Sequence, residues 1–246
     1  MLKKAKILFF VIGILLFVYL VHKIGISQIH KYLLLMGYKF PLIFLPFAVV
    51  FFLDTLAWQY SFSKCLHGAR ISVLFPIRWI GEAINILTPT ASLGGEPVKA
   101  YLLRRYDVPI QEGLASVVIS KIIMTIAQVL FFIVGIIASV HYLSPDYSLV
   151  MPITFVTGMV LFVAFFLFVV QRKGLFVPIV DIIERFEIKI HFLKDRKDKI
   201  KSLDEKIRNF YFNHKKRFYM CFFYYFLAWM TGTFEVYVIM VLMGEK

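Results

Sequence analysis

Residues 78–99 read R78-W-I-G-E82-A-I-N85-I-L-T88-P89-T90-A-S92-L-G94-G95-E96-P97-V-K99. This stretch is too apolar for an ordinary solvated loop and too interrupted for a straight membrane span. On a helix Arg78 and Glu82 are i,i+4 neighbours and Glu82 and Asn85 are i,i+3 neighbours, so the three share a face. Pro89 stops that helix, Gly94 and Gly95 permit a tight turn with open backbone amides, and Glu96 and Pro97 start a second helix with Lys99 in its first turn. With Pro76 and Gly81 as further breakers, segment 71–98 is expected to form a re-entrant or broken helical element, the alternative being a loop at the surface. Open amides beside Lys99, Arg104 and Arg105 would cradle a phosphate-bearing headgroup. The neighbouring carboxylates would bind a cationic headgroup or hold the arginines in place. The competing reading is a broken helix whose polar atoms merely satisfy one another.

The flanks set the class. Of 246 residues 60% are hydrophobic and only 17% charged, with a mean hydropathy of +0.78. A soluble domain is about 45–50% apolar and about 25% charged, so a soluble enzyme, a disordered tail and a fibrous chain are excluded. The apolar residues fall in blocks near the roughly 20 residues that cross a hydrocarbon core. Spans are expected at 5–24, 41–62, 112–140, 149–170 and 217–242, giving an all-α, polytopic integral membrane helix bundle in a single membrane domain. The first block follows Lys3, Lys4 and Lys6 without a small-x-small cleavage site, so it reads as an uncleaved span.

Basic residues choose the orientation. They collect at the N-terminus, at Lys64, Arg70 and Arg78, at Lys99, Arg104 and Arg105, and in 171–217, which holds fourteen Lys and Arg; the 141–148 connection has none. If 71–98 enters and leaves by one face, these groups share one side, predicting a multi-pass protein of the cytoplasmic (plasma) membrane with its N-terminus inside. The 22–40 connection, with Lys23, Lys31 and Lys39, fits least well. Segment 171–216 reads as an amphipathic hairpin at the cytoplasmic surface: a first arm with apolar residues from Leu175 to Phe186, then a stripe of Ile200, Leu203, Ile207 and Phe210. It is either simply solvated or in contact with anionic headgroups. The net charge of +13 follows largely from positive-inside bias, so no nucleic-acid partner is expected.

A charge inside a span is costly and usually faces a polar interior. Asp54 in the second span, Lys121 in the third and Glu235 in the last are therefore candidates, with Lys121 able to pair with Asp54, Glu82, Glu96 or Glu235, or to snorkel. No phosphate-binding loop, zinc-protease pair or nucleophile elbow occurs, the six histidines lack ligand spacing, and Cys65 and Cys221 read as small buried hydrophobes. No catalytic residue, metal or cofactor is expected. Trp58, Trp79 and Trp229 are expected near the membrane interfaces.

Asn85, Pro89, Gly95, Glu96, Lys99 and Arg104, followed by Glu112, Gly113, the run Ala115 to Val118 and Lys121, resemble the flippase-like membrane domain of the lysylphosphatidylglycerol synthase family. Glu235 resembles that family's late acidic residue. The resemblance implies a protein that moves a charged or glycosylated phospholipid between leaflets, with the headgroup or its path lined by Asp54, Arg78, Glu82, Asn85, Glu96, Lys99, Arg104, Lys121 and Glu235, and with Pro89, Gly94, Gly95 and Pro97 as structural breaks. Full lysyltransferases add a cytoplasmic aminoacyl-tRNA-dependent domain for which this chain has no room, so it reads as not itself an enzyme. Ser120 and Met124 stand where relatives carry an acid, so Lys121 must recruit Glu82, Glu96 or Asp54. The usual domain continues beyond Glu235, so the chain reads as a short member, a fragment or a truncated product. Two rival readings stand: a non-transporting scaffold for a lipid-modifying synthase or glycosyltransferase, and an ion or small-solute transporter.

Overall fold

The computed structural model describes residues 14, 18–87, 94–142, 155–159, 162 and 197–244. The expected first arm of the hairpin, most of spans 5–24 and 149–170, and Pro89 with the rest of 88–93 lie outside these residues. Everything described with regular structure is helical: α1 (Ile26–Met36), α2 (Phe44–Tyr60), α3 (Ile71–Leu87), α4 (Gly95–Leu103), α5 (Ile110–Tyr142), α6 (Lys197–Asn213) and α7 (Lys215–Leu242). Among the described residues three helical runs are long and apolar enough to cross a membrane by length and composition, Leu34–Tyr60, Ile110–Ala138 and Lys215–Leu242. The first begins earlier than the expected residue 41 because a 3-10 turn over Gly37–Ile43, containing Pro41, continues the helical path from α1 into α2.

The chain divides into two compact units, Met1–Ala48 with Gly232–Lys246, and Val49–Thr231. In the first, residues 18–24 are helical and Gly25, at φ 88°, ends that helix before α1. The second unit holds two apolar clusters. One joins Ala57 of α2 to Ala115, Ile119, Ile123 and Ala127 of α5, to Leu203, Ile207 and Phe210 of α6, and to Cys221 and Tyr225 of α7. The α5 residues recur every four positions and so form one ridge, and the α6 residues are its i, i+4, i+7 complement. The α6 stripe thus packs on α5 and buries Leu203, Ile207 and Phe210. The other cluster joins Trp58 and Phe62 to Leu74 and Ile77 of α3, Ala100 and Leu103 of α4, and Val117 of α5.

Three sequence expectations are corrected here. Cys65 is exposed in the loop after α2, whereas Cys221 is buried. Pro76 and Gly81 do not interrupt α3, which runs through both. Trp58 does not sit as an interfacial anchor: it is 1% exposed, and its indole N–H donates to Ser116 Oγ at 3.3 Å. The Ser116 hydroxyl donates in turn to the Gly113 carbonyl at 2.8 Å, and the Ser61 hydroxyl lies 2.7 Å from the Trp58 carbonyl and 2.9 Å from that of Ser116. The apolar environment leaves such an indole no water to bond, so the Ser116 hydroxyl of α5 satisfies it.

Glu112 at the start of α5 pairs with Lys206 of α6. Both side chains are about a third exposed, at 27% and 34%, so the pair is screened. Lys206→Ala is expected to lower stability by no more than about 1 kcal/mol, read as the unfolding midpoint in detergent.

Candidate functional site

The broken element is assembled by α3 and α4, which pack on each other and, through α4, on α5. Glycines set the spacing. A Cβ on Gly95 would run into the Gly81 carbonyl and meet Asn85 Oδ1 at 2.9 Å, so α4 starts against the backbone of α3. A Cβ on Gly81 would collide with the aliphatic stem of Lys99, which therefore lies along α3 in the groove that the glycine leaves. Gly113 of α5 performs the same service for α4, its absent Cβ standing 3.2 Å from the Ala100 carbonyl.

Six charged side chains follow from that packing. Arg78 Nη2 donates to Asp54 Oδ2 at 2.7 Å, tying α3 to α2, and its guanidinium lies 5.5 Å above the Phe51 ring. Lys99 Nζ donates to Glu82 Oε1 at 2.8 Å and to Glu96 Oε1 at 3.1 Å. Lys121 Nζ of α5 stands 3.9 Å from the same Glu96 oxygen. Asn85 ties the set together: its Nδ2 donates to Glu82 Oε2 at 3.3 Å and Glu96 Oε1 at 3.5 Å, and its Oδ1 accepts the Gly95 N–H at 2.7 Å.

The charges balance, Asp54, Glu82 and Glu96 against Arg78, Lys99 and Lys121. Such pairing is what a low-dielectric setting requires, because an unpaired ion there is far more costly than a paired one. The cluster is buried around Lys99 and partly exposed at its two ends. Lys99 is 4% exposed and Glu96 14%, whereas Glu82 is 35% exposed and Lys121 33%. One carboxylate and one ammonium are thus accessible, each anchored to a buried partner of opposite sign. Asp54 lies five residues before Gln59 on α2, about 8 Å along a helix that rises 1.5 Å per residue.

The other expected site residues are placed as follows. Glu96 occupies the first turn of α4 and Lys99 the second, with Pro97 between them. Gly94 has ordinary right-handed helical angles, so it supplies no left-handed turn, and the Gly95 amide is not open to a phosphate because Asn85 takes it. The amide cradle is therefore corrected: these glycines serve close approach. Arg104 is exposed in a 3-10 turn after α4, its guanidinium 5.7 Å above Tyr101, and is not brought into the charged cluster. Glu235 is half-buried on α7 in the other compact unit. Pro89 lies outside the described residues.

Sequence reasoning missed Tyr225 and Ser120. Tyr225 is 1% exposed, its hydroxyl pairs with that of Ser120, and it also faces Arg78. The signal available was the i,i+4 pair of small hydroxyls, Ser116 and Ser120, on a long apolar helix. Arg78 Nε is buried without a hydrogen-bond partner among the described residues, so its donor capacity exceeds the Asp54 pair.

These features define a multi-pass membrane helix bundle with a charged cluster built on a broken helix. Comparison of the whole chain with protein families goes further: the family model for the lysylphosphatidylglycerol synthase TM region matches residues 6–245, and the chain belongs to that family. A UPF0104 membrane protein of Methanothermobacter thermautotrophicus is 33% identical over 95 residues, which cover 38% of this chain and 28% of that relative. No solved structure matches the chain.

Proposed function

We propose that the chain handles a charged or glycosylated phospholipid and carries its headgroup between leaflets without making or breaking a bond in it. The observation that carries this reading is the partly exposed charge cluster. Glu82 and Lys121 offer a carboxylate and an ammonium, each about a third exposed and linked to the other through Lys99 and Glu96. A headgroup combining a phosphate with a cationic amine is the complement: the phosphate addresses Lys121, the amine Glu82. A family named for lysylphosphatidylglycerol supplies a lipid of that chemistry. The tails would stay in the bilayer while the short helices α3 and α4 rock to expose the cluster to either side. Positive-inside bias puts the loop carrying Lys64 and Arg70 in the cytoplasm.

The test is headgroup-resolved lipid movement in proteoliposomes. Glu96→Gln is expected to slow movement by about tenfold or more while leaving insertion intact, since Glu96 accepts a charge-assisted bond from Lys99, which contributes about 1.5–3 kcal/mol, and stands 3.9 Å from Lys121. Glu82→Gln should act chiefly on lipids with a cationic headgroup and Lys121→Gln on all phosphate-bearing lipids. Wild-type rates in all three variants would refute the assignment. The family's name also joins this region to a synthase, which favours a scaffold for a lipid-modifying enzyme as the second reading. A scaffold predicts no movement by the purified, correctly inserted chain.

A further inference from the structure

A second polar site lies apart from the charged cluster, where α2 ends and α7 begins. The loop 61–70 carries Lys64, Cys65, His67 and Arg70, and Arg217 reaches across from the first turn of α7. Together with Gln59 and Tyr60 they line a cavity of about 320 Å³. That volume falls in the range of small-ligand sites, about 300–1,000 Å³. Among the residues that line it there are two arginines, a lysine and a histidine, and no carboxylate.

The walls are built rather than draped. The Gln59 side-chain amide donates to the Ala69 carbonyl at 3.0 Å, and Ala69 is buried. A Cβ on Gly68 would collide with the Tyr106 carbonyl and meet Val108 at 3.0 Å, so the loop is pinned against the connection between α4 and α5. Arg217 donates to Cys65 Sγ at 3.3 Å and to the Gln59 carbonyl at 3.3 Å, and its guanidinium lies 5.7 Å from the centre of the Tyr60 ring. Its Nε is buried with no partner among the described residues. These partners are all neutral, so no described residue compensates its charge. Arg70 Nη2 donates to His67 Nδ1 at 2.9 Å. A guanidinium has no acceptor, so Nδ1 accepts in this contact and Nε2 is the ring nitrogen left to donate.

Ammonium, guanidinium and imidazole donors converging from a loop and a facing helix suit a tetrahedral oxyanion better than a planar carboxylate, which one arginine fork already satisfies. Both walls belong to the ends of membrane-crossing helices, Tyr60 closing one and Lys215 opening another, which sets the cavity at headgroup level. We infer that this cavity binds a phosphate group, either that of an anionic phospholipid in the adjacent leaflet or free phosphate. It is a site separate from the cluster around Lys99 and stands whether or not that cluster moves lipid.

The experiment is equilibrium binding of two radiolabelled probes, dihexanoyl phosphatidylglycerol and inorganic phosphate, to the full chain in maltoside detergent. Lys64 and Arg70 are exposed, so Lys64→Gln/Arg70→Gln leaves the fold intact; Arg217→Gln is secondary because Arg217 also bridges α2 and α7. The double variant is expected to weaken binding by at least about tenfold, as removal of charge-assisted bonds does, with the loss shrinking as salt is raised. Lipid binding that inorganic phosphate does not displace identifies the lipid headgroup as ligand. Phosphate binding as tight as lipid binding identifies the free anion. Equal affinity of wild type and double variant for both probes, or no binding of either by the wild type, overturns the assignment.

Discussion

Gly95→Ala is expected to destabilise the protein by about 1–3 kcal/mol, the usual cost of forcing a methyl into a filled space, and to lower the unfolding midpoint in detergent by several degrees. The methyl would meet the carbonyl of Gly81, which is backbone and cannot swing aside, together with Asn85 Oδ1. Relief requires α4 to withdraw from α3. That withdrawal stretches the 2.7 Å bond from the Gly95 amide to Asn85 and lifts Lys99 away from Glu82. Gly232→Ala is the matched control. Gly232 lies in α7 with nothing among the described residues within 4 Å of a built Cβ, and alanine is the better helix former by about 1 kcal/mol, so its midpoint should be unchanged or slightly raised. Equal midpoints for the two variants would mean that α3 and α4 are not in contact at Gly81 and Gly95.

How far this arrangement was legible depends on which interactions are local. Arg78, Glu82 and Asn85 share a helical face by spacing alone, and the bond from Asn85 to Glu82 follows that spacing. The start of α4 at Gly95 was readable from the Gly-Gly-Glu-Pro run. Partners between helices were not. Asp54 is offered only Lys121 as a partner by the sequence, and the packing of α3 on α2 selects Arg78 instead. Lys121 pairs with Glu96 rather than with Asp54 or Glu82 because Gly113 lets α4 approach α5 closely. The glycines were read as turn formers, since a sequence shows that a Cβ is missing but not what fills its place. Trp58 was read as an interface ring because its position near the end of a span is visible and its partner Ser116, 58 residues away, is not. The basic cavity was visible only as positive-inside charge; the fold adds the shape that gathers Lys64, His67, Arg70 and Arg217.

Lys99→Met should produce the largest effect of any charge removal. The thioether chain retains the length that fills the groove over Gly81, so what is lost is the ammonium alone. Glu82 and Glu96 are then left with Asn85 and, for Glu96, Lys121 at 3.9 Å. Removing one partner of a buried pair typically costs about 3–5 kcal/mol, and the lower end applies because Glu82 is partly exposed. A fall in stability by itself does not separate a structural ion pair from a headgroup site. The double variant Glu96→Gln/Lys99→Met does. It removes one charge of each sign, restores neutrality, and is expected to recover at least half of the stability lost in the single variant. If the cluster only holds helices together, lipid movement should recover with stability. If it receives a headgroup, movement should stay absent, because Glu82 and Lys121 remain partly exposed but are no longer bridged by charges between them. Reconstituted protein that is stable yet immobile towards lipid is the expected result, and recovery of both properties together would reduce the cluster to a structural role.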